Sequence, residues 1–154
     1  LVPINIIYNN LSLHNTYFGL FYAYVAFGTG FGILVLRGYF STLPREIDDA
    51  ARIDGCNSWM LFIQIILPMS KPALATLFII DFLGTWNEYL LASVIIHDSK
   101  MKTISTGLMS FVGEHNTDQG ILSAGVLISI IPVLLVFLFF QRYFVEGLSG
   151  AVKQ

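Results

Sequence analysis

Residues Tyr17–Leu36 read YFGLFYAYVAFGTGFGILVL, 20 residues without one charged side chain. As a helix the stretch is about 30 Å long, the thickness of the hydrocarbon core of a bilayer. Ile121–Phe140, ILSAGVLISIIPVLLVFLFF, has the same length and is equally free of charge. Pro132 falls in its middle, where a kink is expected and is tolerated inside a bundle. A third apolar run, Pro72 to Ile96, carries only Asp81 and Glu88 as charges. Trp59–Pro68 (WMLFIQIILP) is too short to cross and is expected either at the membrane surface or as the foot of the third helix. Of the 154 residues, 55% are hydrophobic and 12% charged, about half the charge of a soluble domain. The expected fold is all-α, a polytopic transmembrane helical bundle with spans at 17–36, 72–96 and 121–140.

Three spans place the chain ends on opposite sides of the membrane, and the basic residues choose the sides. Arg37, Arg45, Arg52 and Lys71 lie between the first two spans, and Arg142 and Lys153 follow the last. Only Lys100 and Lys102 occupy the other loop. The 37–71 segment and the C-terminus are therefore expected in the cytoplasm and the 97–120 loop outside. His14, His97 and His115 all fall on the external side; their spacing matches no metal-ligand pattern, and they read as solvated loop residues. Cys56 is alone, which excludes an intrachain disulfide and leaves a small, semi-apolar filler. A net charge of −2 with no basic stripe gives no reason to expect nucleic acid. No basic region precedes a short apolar core at Leu1, so the start does not read as a signal peptide.

The connector between the first two spans is the informative part. Residues 41–56 read STLPREIDDAARIDGC. Pro44 suits the first turn of a helix, where its missing N–H costs nothing. Glu46, Asp48 and Asp49 come next, at the positive end of the helix dipole. Gly55 supplies a residue able to take positive φ and end the helix. The result is a helix over 44–54, about 16 Å long. Ile47, Ala50, Ala51 and Asp54 are expected on one face, with Glu46, Asp49 and Arg52 on the other. Asp48 and Arg52, four apart, form a helical ion pair. Connectors in helical bundles usually take about 2–8 residues, and this one runs from Arg37 to Lys71. An interfacial helix on lipid headgroups favours Lys and Arg on its polar face, whereas this one is acidic at its start. Two readings stand: a helix lying on the membrane, or one docked on a protein.

In these residues the chain resembles the permease subunits of binding-protein-dependent ABC importers. Their cytoplasmic signature is E-A-A, three residues, G, nine residues, I-x-L-P. Asp49-Ala50-Ala51 precedes Gly55 at that spacing, and Ile65, Ile66, Leu67 and Pro68 come at the second. Asp49 replaces the usual Glu, keeping the charge and shortening its reach by one methylene. Trp86-Asn87-Glu88 looks like the W-N-E element of carbohydrate-type permeases. The tail, Gln141 to Val145 and then Gly147-Leu148 and Gly150-Ala151-Val152-Lys153, is similar to that of maltose and glycerol-phosphate type subunits. The likeness runs from about residue 11 to the end. It implies the last three spans of a six-span subunit in a bacterial inner membrane, and an N-terminal part missing ahead of Leu1.

The resemblance further implies a sugar importer whose partners are a second permease subunit, an ATP-binding subunit dimer, an extracytoplasmic sugar-binding protein and the lipid bilayer. No cofactor is expected in this chain, since the sequence has no glycine-rich phosphate loop and ATP belongs to the partner ATPase. Residues 44–55 become a cytoplasmic coupling helix gripped by that ATPase, with Glu46, Asp49, Ala50, Ala51, Asp54, Gly55 and Pro68 as the coupling residues. No catalytic or metal site is expected. Asp81 lies near mid-membrane, where a charge costs a few kcal/mol unless it faces a bundle interior or cavity. Glu88 is expected two turns further on the same face, beside Thr85 and Asn87, with Trp86 and Tyr89 in an interfacial aromatic belt. Asp81, Asn87 and Glu88 could line a polar sugar pathway, or hold helices and subunits together by hydrogen bonds. Gly28 and Gly32, four apart, would allow close helix packing. Rival readings are a permease for peptides, amino acids or anions, a membrane-embedded enzyme using Asp81, Glu88 and an external histidine, and a plain membrane anchor.

Overall fold

The structure is a computed structural model that describes residues 2–112 and 119–152, with side chains as far as residue 141. The described residues form helices and no strands: α1 (Val2–Asn10), α2 (Tyr17–Phe40), α3 (Arg45–Ile53), α4 (Ser58–Leu61), a π-helical turn (Phe62–Ile66), α5 (Leu67–Met69), α6 (Lys71–Trp86), α7 (Leu90–Ile95), α8 (Ile104–Met109) and α9 (Gln119–Val152). Two described helices are long and apolar enough to cross a membrane, α2 and the Gln119–Gln141 part of α9. The segments Ser58–Met69 and Lys71–Trp86 give a third crossing if counted as one span, bent by 68°. So Trp59–Pro68 is the foot of the middle helix, set at an angle to it. Helix α9 continues through Pro132.

The middle stretch departs from expectation. Residues 72–96 are not one helix: α6 ends at Trp86, and α7 begins only at Leu90. The cause is local. The Glu88 carboxylate accepts hydrogen bonds from Leu91 N (2.6 Å) and Ala92 N (3.0 Å), two N–H groups of the first turn of α7. A side chain that satisfies the free donors of a new helix makes stopping the old one cheap. Glu88 therefore lies beyond the end of α6, not two turns along the face that carries Asp81.

The chain divides into two compact units. The first comprises Leu1–Thr29 and Asp81–Val136. Its core is Tyr8, Leu20, Ala23, Ala92, Ile95 and Ile96, where the small Ala23 and Ala92 leave room for close packing. Tyr8 donates from its hydroxyl to the Gly19 carbonyl at 2.8 Å, and burial raises its phenol above the ordinary tyrosine value, so it stays a donor. Gly19 is required there: a Cβ would run into the Leu13 carbonyl oxygen. The turn before α2 is pinned by Asn15, which holds positive φ (54°). Its N–H donates to Ile95 O at 2.9 Å, and its Oδ1 accepts from His97 N at 2.6 Å and Asp98 N at 2.9 Å.

The second unit comprises Gly30–Ile80 and Phe137–Gln154. Of the two glycines expected to allow close packing, Gly32 lies here and meets the Leu77 side chain of α6, where a Cβ would stand 3.6 Å from Leu77 Cδ2. Gly28, in the first unit, faces open space. Phe78 and Phe140 pack with ring centroids 5.0 Å apart. Large apolar side chains remain uncovered on the long helices, among them Phe18, Phe27 and Leu34 on α2 and Leu127 and Phe139 on α9. Such helices suit a lipid solvent or further protein.

Candidate functional site

Helix α3 starts at a proline and ends at a glycine stop. Pro44 is its N-cap at φ −62°, ψ 136°, one position earlier than expected, and supplies no side-chain cap. Glu46 and Asp48 in the first turn and Arg52 in the last complement the helix dipole. At the C-terminus, Cys56 N donates to Ala51 O (2.9 Å) and Gly55 N to Arg52 O (3.1 Å). With Gly55 at φ 80°, this is a Schellman stop. The Asp48–Arg52 ion pair is present at 3.5 Å, with Arg52 exposed and Asp48 about half so, worth a few tenths of a kcal/mol at such a site.

The two faces of α3 divide differently from the expected set. Ala51 is 3% exposed and Ile47 half-buried, so these two pack inward. Ala50 and Asp54 point outward with Glu46 and Asp49. Ala50 and Ala51 are about 100° apart around the axis and cannot both be central to one narrow face. The outer face also carries Ile53, 86% exposed, which composition did not single out. Behind α3 lies a cavity of about 280 Å³ lined by Phe40, Leu43, Ile47, Leu61, Phe62 and Ile66, with Arg45 and Asp48 at its edge.

Pro68 shapes the approach to α6. Proline has no N–H to give the carbonyl four residues back, and its ring crowds that carbonyl. The turn just before it is π-helical, and Leu67 N reaches back five residues to Phe62 O. The wider turn relieves the crowding. Ser70, fully buried, then closes the elbow: its N–H (3.0 Å) and its hydroxyl (2.6 Å) both donate to Ile66 O. Tyr39 donates from its hydroxyl to Met69 O at 2.7 Å. Asn57 caps α4 by accepting from Met60 N at 2.8 Å. Asn57 had a readable signal, since it comes after the glycine stop and opens an apolar run. Tyr39 and Ser70 had none, because their partners are set by the elbow.

In the first unit, Trp86-Asn87-Glu88 forms a junction. Trp86 stacks on Phe82 (5.4 Å), donates from Nε1 to Ser129 O (3.1 Å), and accepts at its carbonyl from the Ser105 hydroxyl (2.9 Å). Asn87 Nδ2 donates to Leu83 O (2.8 Å). Glu88 Oε2 also accepts from the Tyr24 hydroxyl (3.1 Å). Four helices, α2, α7, α8 and α9, are thereby tied to the end of α6. Asp81 and Thr85, one turn apart on α6, are exposed, and among the described residues Asp81 forms no ion pair. The structure does not bring Asp81 together with Glu88. Nor do three or more potential metal ligands converge among the described residues. His115, Lys153 and the side chains of the tail from Arg142 lie outside the described residues.

Long apolar helices, with a short, charged helix between two of them in the chain, are the make-up of a membrane-embedded protein. The chain belongs to the family of binding-protein-dependent transport system inner membrane components, whose model matches residues 1–150. It is 44% identical over 154 residues to a probable ABC transporter permease protein, YurM, of Bacillus subtilis, covering 99% of this chain and 51% of that protein. It is 40% identical to the alpha-glucoside transport system permease protein AglG of Rhizobium meliloti (99% and 42%). It is 35% identical to the diacetylchitobiose uptake system permease protein NgcG of Streptomyces coelicolor (100% and 50%). The chain thus spans about half the length of these curated relatives. A solved bacterial ABC transporter involved in the import of the acidic polysaccharide alginate superposes with a TM-score of 0.75 at 25% identity, over 94% of this chain and 56% of that one.

Removing the Glu88 carboxylate strips two caps from α7 and leaves the Tyr24 hydroxyl unpaired. Glu88→Ala should lower the stability of the detergent-solubilised protein by about 1–3 kcal/mol, read as an earlier thermal transition at unchanged helix content.

Proposed function

We propose that this chain is part of the transmembrane permease subunit of an ATP-driven, binding-protein-dependent sugar importer, and that α3 is its coupling helix. The observation that carries the reading is the outer face of α3. Glu46, Asp49, Ala50 and Ile53 stand uncovered on a helix held by a glycine stop and an apolar inner face. An isoleucine 86% exposed at the centre of a small acidic surface fits a protein cleft better than lipid headgroups. The sugar assignment is supported by the curated names of its relatives, which include permeases for alpha-glucosides, diacetylchitobiose and arabinooligosaccharides.

In this reading two ATP-binding subunits hold the outer face of α3 from the cytoplasm, while a second permease subunit and an external sugar-binding protein complete the machine. Closure of the ATPases on ATP moves α3. A rigid handle transmits that motion to the elements it is joined to: Cys56 and Asn57 link it directly to α4, the π-turn and the elbow before α6. The spans then rock, and access switches between the two sides of the membrane. The basic residues at 37–71 support a cytoplasmic position for this segment and, with it, a cytoplasmic C-terminus. The substrate path is proposed to run along the Asp81–Thr85 face of α6, whose carboxylate and hydroxyl can accept from and donate to sugar hydroxyls. Glu88 and Asn87, whose polar atoms are engaged with neighbouring backbone, serve as framework beside it.

Three measurements test these assignments. Gly55→Pro cannot keep φ near 80°; it should abolish uptake, with the ATPase either released from the complex or hydrolysing ATP without transport, and normal uptake would refute the coupling role. A cysteine placed at Asp49 should react with a membrane-impermeant maleimide in inverted vesicles and not in intact cells; labelling from outside would reverse the orientation. Asp81→Asn should lower uptake while leaving assembly with the ATPase intact, and unchanged transport kinetics would remove Asp81 from the path.

A further inference from the structure

The sequence separates His14 from His97 by more than half the chain, yet their rings stand 5.8 Å apart between centroids. Both belong to the first unit. The clamp at Asn15 fixes this approach, since Asn15 lies next to His14 and its Oδ1 holds the backbone N–H of His97 itself. Tyr8 closes the other side of His14, with centroids 6.0 Å apart.

The state of His14 is informative. Its Nε2 sits 3.3 Å from the Asn5 carbonyl. A carbonyl only accepts, so Nε2 carries a proton, and in the neutral ring Nδ1 keeps a lone pair. That Nδ1 is buried and has no hydrogen-bond partner among the described residues. Buried polar atoms are nearly always partnered, and an exception calls for a bound water or ion. An imidazole that donates one N–H to a backbone carbonyl and presents the other nitrogen bare is the arrangement found in metal-ligating histidines, where the carbonyl fixes the tautomer. His97 is exposed, and among the described residues its ring has no hydrogen-bond partner.

We infer that His14 and His97 form a binding site for a divalent transition-metal ion of the imidazole-preferring class, such as Zn²⁺ or Ni²⁺. Two imidazoles bound to one tetrahedral metal at about 2.0–2.1 Å bring their ring centroids to about 5 Å, close to the observed 5.8 Å. With two protein ligands and the other positions left to water, the site is open and exchangeable, unlike a closed structural zinc site. Bound metal would bridge the turn before α2 to the loop after α7, reinforcing the contact that Asn15 makes. Mg²⁺, which prefers oxygen, should not compete.

The test is calorimetric titration of Zn²⁺ into the full-length subunit within its transporter complex, purified without a histidine tag, for the wild type, His97→Ala, His14→Ala and the double variant. Loss of His97, an exposed side chain, leaves the fold intact. The inference expects a Zn²⁺-binding event in the wild type that each single variant weakens at least about tenfold and that Mg²⁺ does not reproduce. A wild-type titration indistinguishable from that of the double variant overturns it. So does a single variant that keeps wild-type affinity.

Discussion

A helix that stops inside or beside a bilayer frees backbone N–H and C=O groups that little or no water reaches, and each must find a partner within the protein. This chain stops its middle helical run twice, and both breaks are built around that requirement. At the elbow the Ser70 N–H and hydroxyl go to Ile66 O, while the Tyr39 hydroxyl takes Met69 O. At the end of α6 the Ser105 hydroxyl takes Trp86 O, and Glu88 takes two N–H groups of α7. Ser70 and Glu88, two polar residues of an otherwise apolar segment, are accounted for by these duties. Asp81, the carboxylate within α6, is exposed and has no such task among the described residues, and for that reason a role toward solute is proposed for it and not for Glu88.

The same logic gives the family signature a physical content. In Asp49-Ala50-Ala51 the second alanine is the packed one and the first is presented; a larger side chain at Ala51 would lift the helix off its support. Gly55 is needed because the Schellman stop requires positive φ without strain. Pro68 is needed because it widens the turn before it and sets up the bend at Ser70. Alanine, glycine and proline at these positions serve three distinct backbone and packing demands along one connector.

Much of this was readable without coordinates. Twenty uncharged residues in a row leave no alternative to a long apolar helix, and α2 and α9 contain the expected stretches, α2 running on to Phe40 and α9 from Gln119 to Val152. The short helix of the connector was legible because its stop is written in one residue type, Gly55, that has a single conformational reason to be there. The break after Trp86 was not legible. Glu88 accepts from the Tyr24 hydroxyl, 64 residues away, and from two N–H groups of the helix that follows it. Periodicity sees Pro72 to Ile96 as one apolar run and does not register a carboxylate engaged both with the backbone of the next turn and with a tyrosine 64 residues away. The pairing of His14 with His97 was hidden for the same reason: it depends on the Asn15 clamp, a side chain to backbone bond across the fold. The outer face of α3 was half legible, its charges evident and its apolar centre missed, since an isoleucine in a charged helix reads by default as the inward residue.

Magnitudes decide which part of that face would govern docking. The Asp48–Arg52 pair, with Arg52 exposed and Asp48 about half so, is satisfied within the helix and contributes a few tenths of a kcal/mol at most. Covering Ile53, now 86% exposed, is worth about 1.5–3 kcal/mol when complete. Glu46 and Asp49 at the rim would steer and orient a basic partner more than they would hold it. A coupling contact built this way has its affinity in one apolar side chain and its register in two carboxylates. In the proposed contact a rim charge that orients can lose a methylene of reach, as Asp49 does, whereas the position of Ile53 is fixed by the Schellman stop immediately after it.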